Sequence, residues 1–480
     1  MVSIIKRKVL DGVYWIEVPA ADLRILCGCP ADSIKHLTVK GLLRKVKENG
    51  FEYEAGPNAI LLSDDLIQNG SLSNVSEFIA YHMFYTQGTI IPSHPNYNKP
   101  NPQMIGKKDQ VDAQMEYIYR GNYGLTTEKE FLACGEKPAF ARENLAMKLC
   151  FSFGSFLHTR DLLDSVYLER KTVALRNGVT VRRVKHNVFK FSYDGKSTQV
   201  DLNLRKYRHY QPSFKLPRIS IPEAYFSVIH TGEGDGWNPL KPSLSSVVQF
   251  DGCFFLIDAG PYITKILKSV GIKPNKLAGI FITHVHDDHI AGLFELANKA
   301  CPTTLFATPV VRSTILKKLA ALLSVTEKEV GTYFNFVDLK RNTWNKQGKM
   351  EIKPIPTAHP VDTTILVFRV KGKTRYHSYG HFSDIAALSW LKNEVTTENK
   401  KGGISKKYYD AIKADFGMVL DVKKIDVGGP PIHGDAEDFA RDKSGKLILG
   451  HSHTDFTKSQ LAVGDDVAFG HVDTLIKRKP

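Results

Sequence analysis

The feature that most constrains this chain is Thr283-His284-Val285-His286-Asp287-Asp288-His289-Ile290-Ala291-Gly292, in which His284, His286, Asp288 and His289 place four potential metal ligands within six residues. The apolar run 277–282 leads into them and reads as a buried strand, and 290–297 reads as the start of a helix. The ligands therefore fall where a strand gives way to a helix, the usual place for a site in a layered α/β domain. Neutral imidazole suits zinc, iron and similar ions, while a carboxylate supplies hard oxygen and negative charge.

Length and charge bound the rest. At 480 residues the chain exceeds one ordinary core, so two or three domains are expected. A hydrophobic content of 42% is that of a soluble globular protein. The net charge of +15 favours anionic partners such as nucleic acid, nucleotides or phosphorylated substrates. The Lys and Arg are scattered and no basic run reaches five residues, so general solubility accounts for that charge equally well. No run of 18 apolar residues occurs, so no membrane-spanning helix is expected. The first residues lack the apolar core of a secretion signal. Of six cysteines only Cys27 and Cys29 are close together, which reads as reduced thiols in a cytoplasmic protein, with a metal role for that pair as the alternative.

Three segments are expected. Residues 1–160 read as an α+β N-terminal domain: a strand at 13–18, a helix opened by Pro30-Ala31-Asp32 and running to about Lys47 with Gly50 as its stop, a short strand at 59–63, a loop at 92–102 and a helix at 110–119. Residues 161–221 hold antiparallel hairpins and a linker, because Asn177-Gly178 and Asp194-Gly195 lie between alternating runs; four strands are expected here. Residues 222–480 form the catalytic domain, with strands at 226–230, 243–250 and 253–260 around a glycine-rich loop at 231–238.

The His-x-His-x-Asp-His pattern resembles the metallo-β-lactamase fold superfamily over about residues 222–460; residues 1–200 match no family of known function. The glycine loop followed by the serine-bearing strand 243–250 is most similar to the phosphodiesterase branch that includes tRNase Z. The resemblance implies a four-layer αββα sandwich preceded by the α+β domain. It also implies two divalent ions, zinc with manganese or iron as alternatives. His284, His286 and His359 would hold one, Asp288, His289 and His451 the other, and Asp384 would bridge them. Asp258 would orient the ligand loop without binding metal. Asp384 departs from the commoner Gly-Asp pairing, since Gly380 lies four residues earlier. His377 and His381 are rivals for a metal or substrate role, and otherwise read as supporting or surface histidines. His453 is an alternate to His451, because on an extended backbone the two side chains share a direction. His433 and Asp435, in a Gly/Pro-rich turn, face the metals or are structural.

Such a pair of ions makes hydroxide available near neutral pH and polarises the scissile group. No nucleophile elbow occurs, so a covalent serine mechanism is not expected. Asp288 joins the catalytic set through this chemistry, and His433, His453 or His381 would protonate the leaving oxygen. The expected function is a metal-dependent hydrolase of an anionic phosphodiester, a nucleotide or nucleic acid, with a homodimer as the superfamily's common state. A lactone or ester hydrolase and a non-hydrolytic di-iron sensor are the alternatives.

Overall fold

Strands Phe226–Gly232 and Ser245–Phe250 are buried at every residue, as their β-branched and aromatic runs require of strands covered on both faces. The computed structural model describes residues 4–169, 172–396 and 402–480. They fall into two compact units. One comprises Met1–Tyr119, Leu157–Ser213 and Leu319–Val325, the other Arg120–Phe156, Phe214–Lys318 and Thr326–Pro480.

The second unit is built on two sheets. In the first, Phe226–Gly232, Ser245–Phe250 and Cys253–Ile257 run antiparallel to one another, and Leu277–Phe281, Thr303–Ala307 and Phe334–Asp338 continue in parallel. Val472–Ile476 adds an antiparallel strand beside Phe226–Gly232. In the second sheet, Asn345–Gln347, Met350–Thr357, Thr363–Lys371 and Tyr376–Phe382 form an antiparallel meander, extended in parallel by Val422–Asp426 and Lys446–Gly450. Val228, Val248, Phe255 and Phe281 of one sheet pack against Ile352, Leu366, Phe368 and Ile448 of the other. Leu391, Ile412 and Phe416, from the helices Leu388–Asn393 and Lys406–Phe416, cover the outer face of the second sheet at Ile365, Val367 and Ile425. These are the two central sheets and one helical layer of the expected αββα sandwich.

The first unit has a six-stranded mixed sheet and the four-stranded antiparallel sheet 172–201, the latter with the hairpins expected from its turns. Ile16, Ile25, Leu61 and Ile105 face Val181, Phe189, Phe191 and Val200 across a shared core.

Two local expectations are corrected. The helix opened at Pro30 spans only Ser33–Val39, because Gly41, at φ +60°, turns the chain and Leu42 N donates back to Leu37 O. Residues 44–55 form a hairpin instead, with Asn49 and Gly50 both at positive φ, so Asn49-Gly50 is a hairpin turn and not a helix stop. The helix expected at 290–297 is two short turns, Asp287–Ile290 and Leu293–Leu296. Between them Gly292 packs so closely on the backbone after Asp258 that an added Cβ would lie 2.1 Å from Gly260 O. Among the described residues no helix is long and apolar enough to cross a membrane.

Candidate metal centre

The converging side chains come from strand ends, and from the loop and short helix Asp287–Ile290 that follow Leu277–Phe281, in the second unit. Asp258 follows Cys253–Ile257, and its carboxylate ties down the next loop: Thr283 N donates to Oδ1 at 2.8 Å and Thr283 Oγ1 to Oδ2 at 2.7 Å. His289 Nδ1 donates to the same Oδ2 at 2.9 Å. The loop is fixed on its other side by buried Lys318, which donates to Val285 O at 2.6 Å and to Asp287 Oδ1 at 2.8 Å. His359 lies in the turn after Met350–Thr357, Asp384 follows Tyr376–Phe382 and His451 follows Lys446–Gly450. Asp258, Asp384 and His451 all have positive φ, +61°, +44° and +60°, a sparsely populated conformation that Asp and His tolerate better than most residues.

Four ligand atoms, one each from His284, His286, His359 and Asp384, lie within 4.8 Å of one another, as do three from Asp288, His289 and His451. Asp384 faces both groups. Its Oδ2 is 3.4 Å from His284 Nε2 and 3.6 Å from His359 Nε2, and its Oδ1 is 3.1 Å from His289 Nε2 and 3.3 Å from His451 Nε2.

The hydrogen bonds at the back of the rings fix which nitrogen faces inward. His359 Nδ1 donates to Ile432 O at 3.0 Å, and His284 Nδ1 to Thr283 Oγ1 at 3.0 Å, so both Nε2 atoms present lone pairs. Each lies 3.2 Å from His286 Nδ1. A single hydrogen on that nitrogen can satisfy only one of them, whereas a cation satisfies all three. Asp288 Oδ1 and His289 Nε2 are buried without a hydrogen-bond partner. The donor set thus fits divalent metal.

Burial holds His286 and His359 well below the ordinary imidazole value and lowers His284 too, keeping these rings neutral. Burial opposes charge on His289 and His451 as well. Asp288, Asp384 and Asp258 nevertheless push His289 well above its ordinary value, and Asp384, Asp288 and Asp426 raise His451 to about 10. Protons and a divalent cation compete for these nitrogens.

The seven residues His284, His286, Asp288, His289, His359, Asp384 and His451 are therefore brought together. His433 joins them: its ring centroid is 4.4 Å from that of His451, and its Nδ1 donates to Asp426 Oδ2 at 3.1 Å. His453 does not join. Its side chain is 56% exposed and its Nδ1 lies 3.8 Å from Asp235 Oδ2. The expectation that it shares His451's direction is corrected, because His451's positive φ breaks the extended backbone on which it rested. His381 is buried, with Nδ1 2.8 Å from Tyr379 Oη, and belongs to no ligand group among the described residues. His377 is likewise outside them. Asp435 caps the short helix Ala436–Phe439 by accepting from Glu437 N.

Sequence reasoning missed Asp426. It is fully buried and accepts from Ile385 N, Gly428 N and Gly434 N as well as from His433, tying the segments that carry Asp384 and His433 to one carboxylate. Like Asp258 it closes a buried strand, Val422–Asp426, but Lys423 and Lys424 within that strand hide its burial from the sequence.

The family described as "Anti-Pycsar protein Apyc1" matches residues 227–395. The "cAMP/cGMP-dependent 3′,5′-cAMP/cGMP phosphodiesterase B" of Dictyostelium discoideum is 24% identical over 220 residues, 46% of this chain and 19% of that protein. Ribonuclease Z of Methanococcus maripaludis is 28% identical over 213 residues, 42% of this chain and 62% of its own length. The chain thus spans less than two thirds of these two curated relatives. The human short-form tRNase Z structure aligns with a TM-score of 0.37 at 16% identity, over 52% of this chain and 99% of that one. The part of the chain from Phe226 onward has the metallo-β-lactamase fold. The curated relatives it matches are a cyclic-nucleotide phosphodiesterase and a ribonuclease Z.

Proposed function

We propose that the protein is a metal-dependent phosphodiesterase of small nucleotides, with 3′,5′-cyclic nucleotides as its substrate class. The observation that carries the hydrolase reading is the two-faced Asp384 carboxylate, with three imidazoles grouped at one oxygen and Asp288, His289 and His451 at the other. The substrate class is supported by the relatives named as cyclic-nucleotide phosphodiesterases. The net charge of +15 is in keeping with an anionic substrate.

His284, His286 and His359 would hold one ion and Asp288, His289 and His451 a second, with Asp384 between them. When bound, such ions make hydroxide available near neutral pH and neutralise charge on the phosphoryl oxygens. The chain's own groups then have separate tasks. Asp258 and Ile432 O fix the orientation of His289 and His359 through Nδ1. Asp426 holds His433 through Nδ1, leaving its Nε2 to deliver a proton to the departing sugar oxygen.

The test is turnover of 3′,5′-cyclic nucleotides, bis-p-nitrophenyl phosphate, a 3′-extended tRNA precursor and a lactone by the zinc- or manganese-loaded protein. Hydrolysis of a cyclic nucleotide to a 5′- or 3′-monophosphate is expected. Cleavage of the tRNA precursor alone would reassign the substrate to RNA, and turnover of the lactone alone would overturn the phosphodiesterase reading.

A further inference from the structure

The N-terminal sheet repeats the first sheet of the hydrolase. Ile5–Leu10, Val13–Val18 and Leu23–Cys27 pair antiparallel, and Ala59–Leu61, Gln103–Gly106 and Asp164–Tyr167 then follow in parallel. This is the order and direction of the six strands from Phe226–Gly232 to Phe334–Asp338. Each then continues into an antiparallel meander of four strands, 172–201 in one case and 345–382 in the other.

The match extends to single hydrogen bonds. Gly28 N donates to Leu61 O at 2.8 Å, as Asp258 N does to Phe281 O at 2.9 Å. Leu62 N to Ile105 O matches Ile282 N to Phe306 O, and Leu168 N to Gly106 O matches Leu339 N to Ala307 O. Cys29 N to Ser73 O and Val75 N to Cys29 O match Ala259 N to His289 O and Gly292 N to Ala259 O. Gly28 and Asp258 both have positive φ, and so do Asp32 and Tyr262, each capping a seven-residue helix. A twisted sheet alone does not impose five matched crossing bonds and two matched left-handed residues.

These bonds set the correspondence at the ligand positions. Gly28 stands where Asp258 does, Asp64 where His284 does and Ser73 where His289 does. The turn His186-Asn187 stands where His359 does, between the second and third meander strands, and Asn203 stands where Asp384 does, two residues beyond the fourth. The strands that carry Asp426 and His451 have no counterpart in the four-stranded sheet.

What occupies this place is a hydrogen-bonded network. Arg183 Nε donates to Asp64 Oδ2 at 2.9 Å, and Asn187 N donates to the same oxygen at 2.7 Å. Asn187 Oδ1 accepts from Ser63 Oγ and Asp64 N, and its Nδ2 donates to Asp65 Oδ2 and Asn203 Oδ1. Asn74 Oδ1 accepts from Ser63 N, the task Asp258 performs for Thr283.

We infer that residues 5–119 and 157–203 are a second, non-catalytic copy of the hydrolase core, in which the Arg183 guanidinium and the Asn187 side chain hold together the loops that metal would hold. The matching elements lie wholly within residues 5–203 and 226–382 and are independent of the substrate.

Hydrogen exchange of the metal-loaded full chain, with and without chelator, tests it. Chelation is expected to deprotect 283–292 and the 428–434 turn while leaving 62–75 and 180–203 unchanged. The double variant Asp65→Asn/His186→Gln, at two partly exposed side chains, is expected to keep its metal content, and Arg183→Met to lower the Tm without loss of metal. Deprotection of 62–75 on chelation, or loss of metal from either variant, would overturn the inference. Absence of phosphodiesterase activity alone would refute the proposed function and leave this untouched.

Discussion

Asp258 and His289 meet beneath the ligand cluster: the ring's Nδ1 donates to Oδ2 at 2.9 Å, while Thr283 N and Oγ1 occupy the same carboxylate. One side chain thus sets a ligand's tautomer and anchors the loop that carries the others. Asp258→Asn is expected to weaken metal affinity about 10–100-fold, as loss of such a partner does elsewhere. Titration of the apoprotein with zinc against a competing chelator measures this; unchanged affinity would remove Asp258 from the positioning role.

His433 sits beside His451 with its Nδ1 held by Asp426. If it protonates the leaving oxygen, His433→Gln lowers kcat on a cyclic nucleotide by about 10²–10⁴-fold. On bis-p-nitrophenyl phosphate the loss should be much smaller, because p-nitrophenolate departs without a proton. Equal losses on both substrates, or loss of metal from the variant, would make His433 a ligand instead.

His230 is fully buried, donates from Nε2 to Asp473 at 3.0 Å and is lowered to about 4, chiefly by burial. Its folded value lies below the unfolded one, so its neutral form contributes stability that is fully present above about pH 6.5 and is lost as pH falls towards 4. The loss is at most about 3 kcal/mol from the size of that shift. Tm measured from pH 7 to pH 4 should fall less steeply for His230→Gln than for the parent chain; parallel slopes would contradict this.

Lys148 and Asp362 form a buried ion pair at 2.5 Å, and Lys148 also donates to Tyr123 O and Leu125 O. Lys148→Met strands a buried carboxylate and should cost about 3–5 kcal/mol. Adding Asp362→Asn should recover much of that loss in chemical denaturation, and an additive double variant would refute the coupling.

The metal-ligand loop was legible because its residue types are rare together and a buried apolar strand aims them. Asp384 and His359 were legible through the resemblance to the superfamily's motifs, each coming after a strand. Asp426 was not, because it binds backbone N–H groups that only the tertiary fold brings to it. The choice between His451 and His453 turned on one positive φ that no residue pattern announces. Asn49-Gly50 carried a hairpin signal that the helix-opening Pro30 obscured. The repeated sheet of the N-terminal unit was invisible in sequence, because its ligand positions hold Gly28, Asp64 and Ser73 in place of the residues that mark the site.

The most direct test of the central claim is bis-p-nitrophenyl phosphate turnover, with metal content measured on the same samples, for the parent chain and for His286→Ala/Asp288→Ala. The parent should bind divalent metal and turn over, while the double variant, still folded by circular dichroism, should lose both. A folded variant that retains turnover would contradict the assignment of this cluster as the catalytic centre.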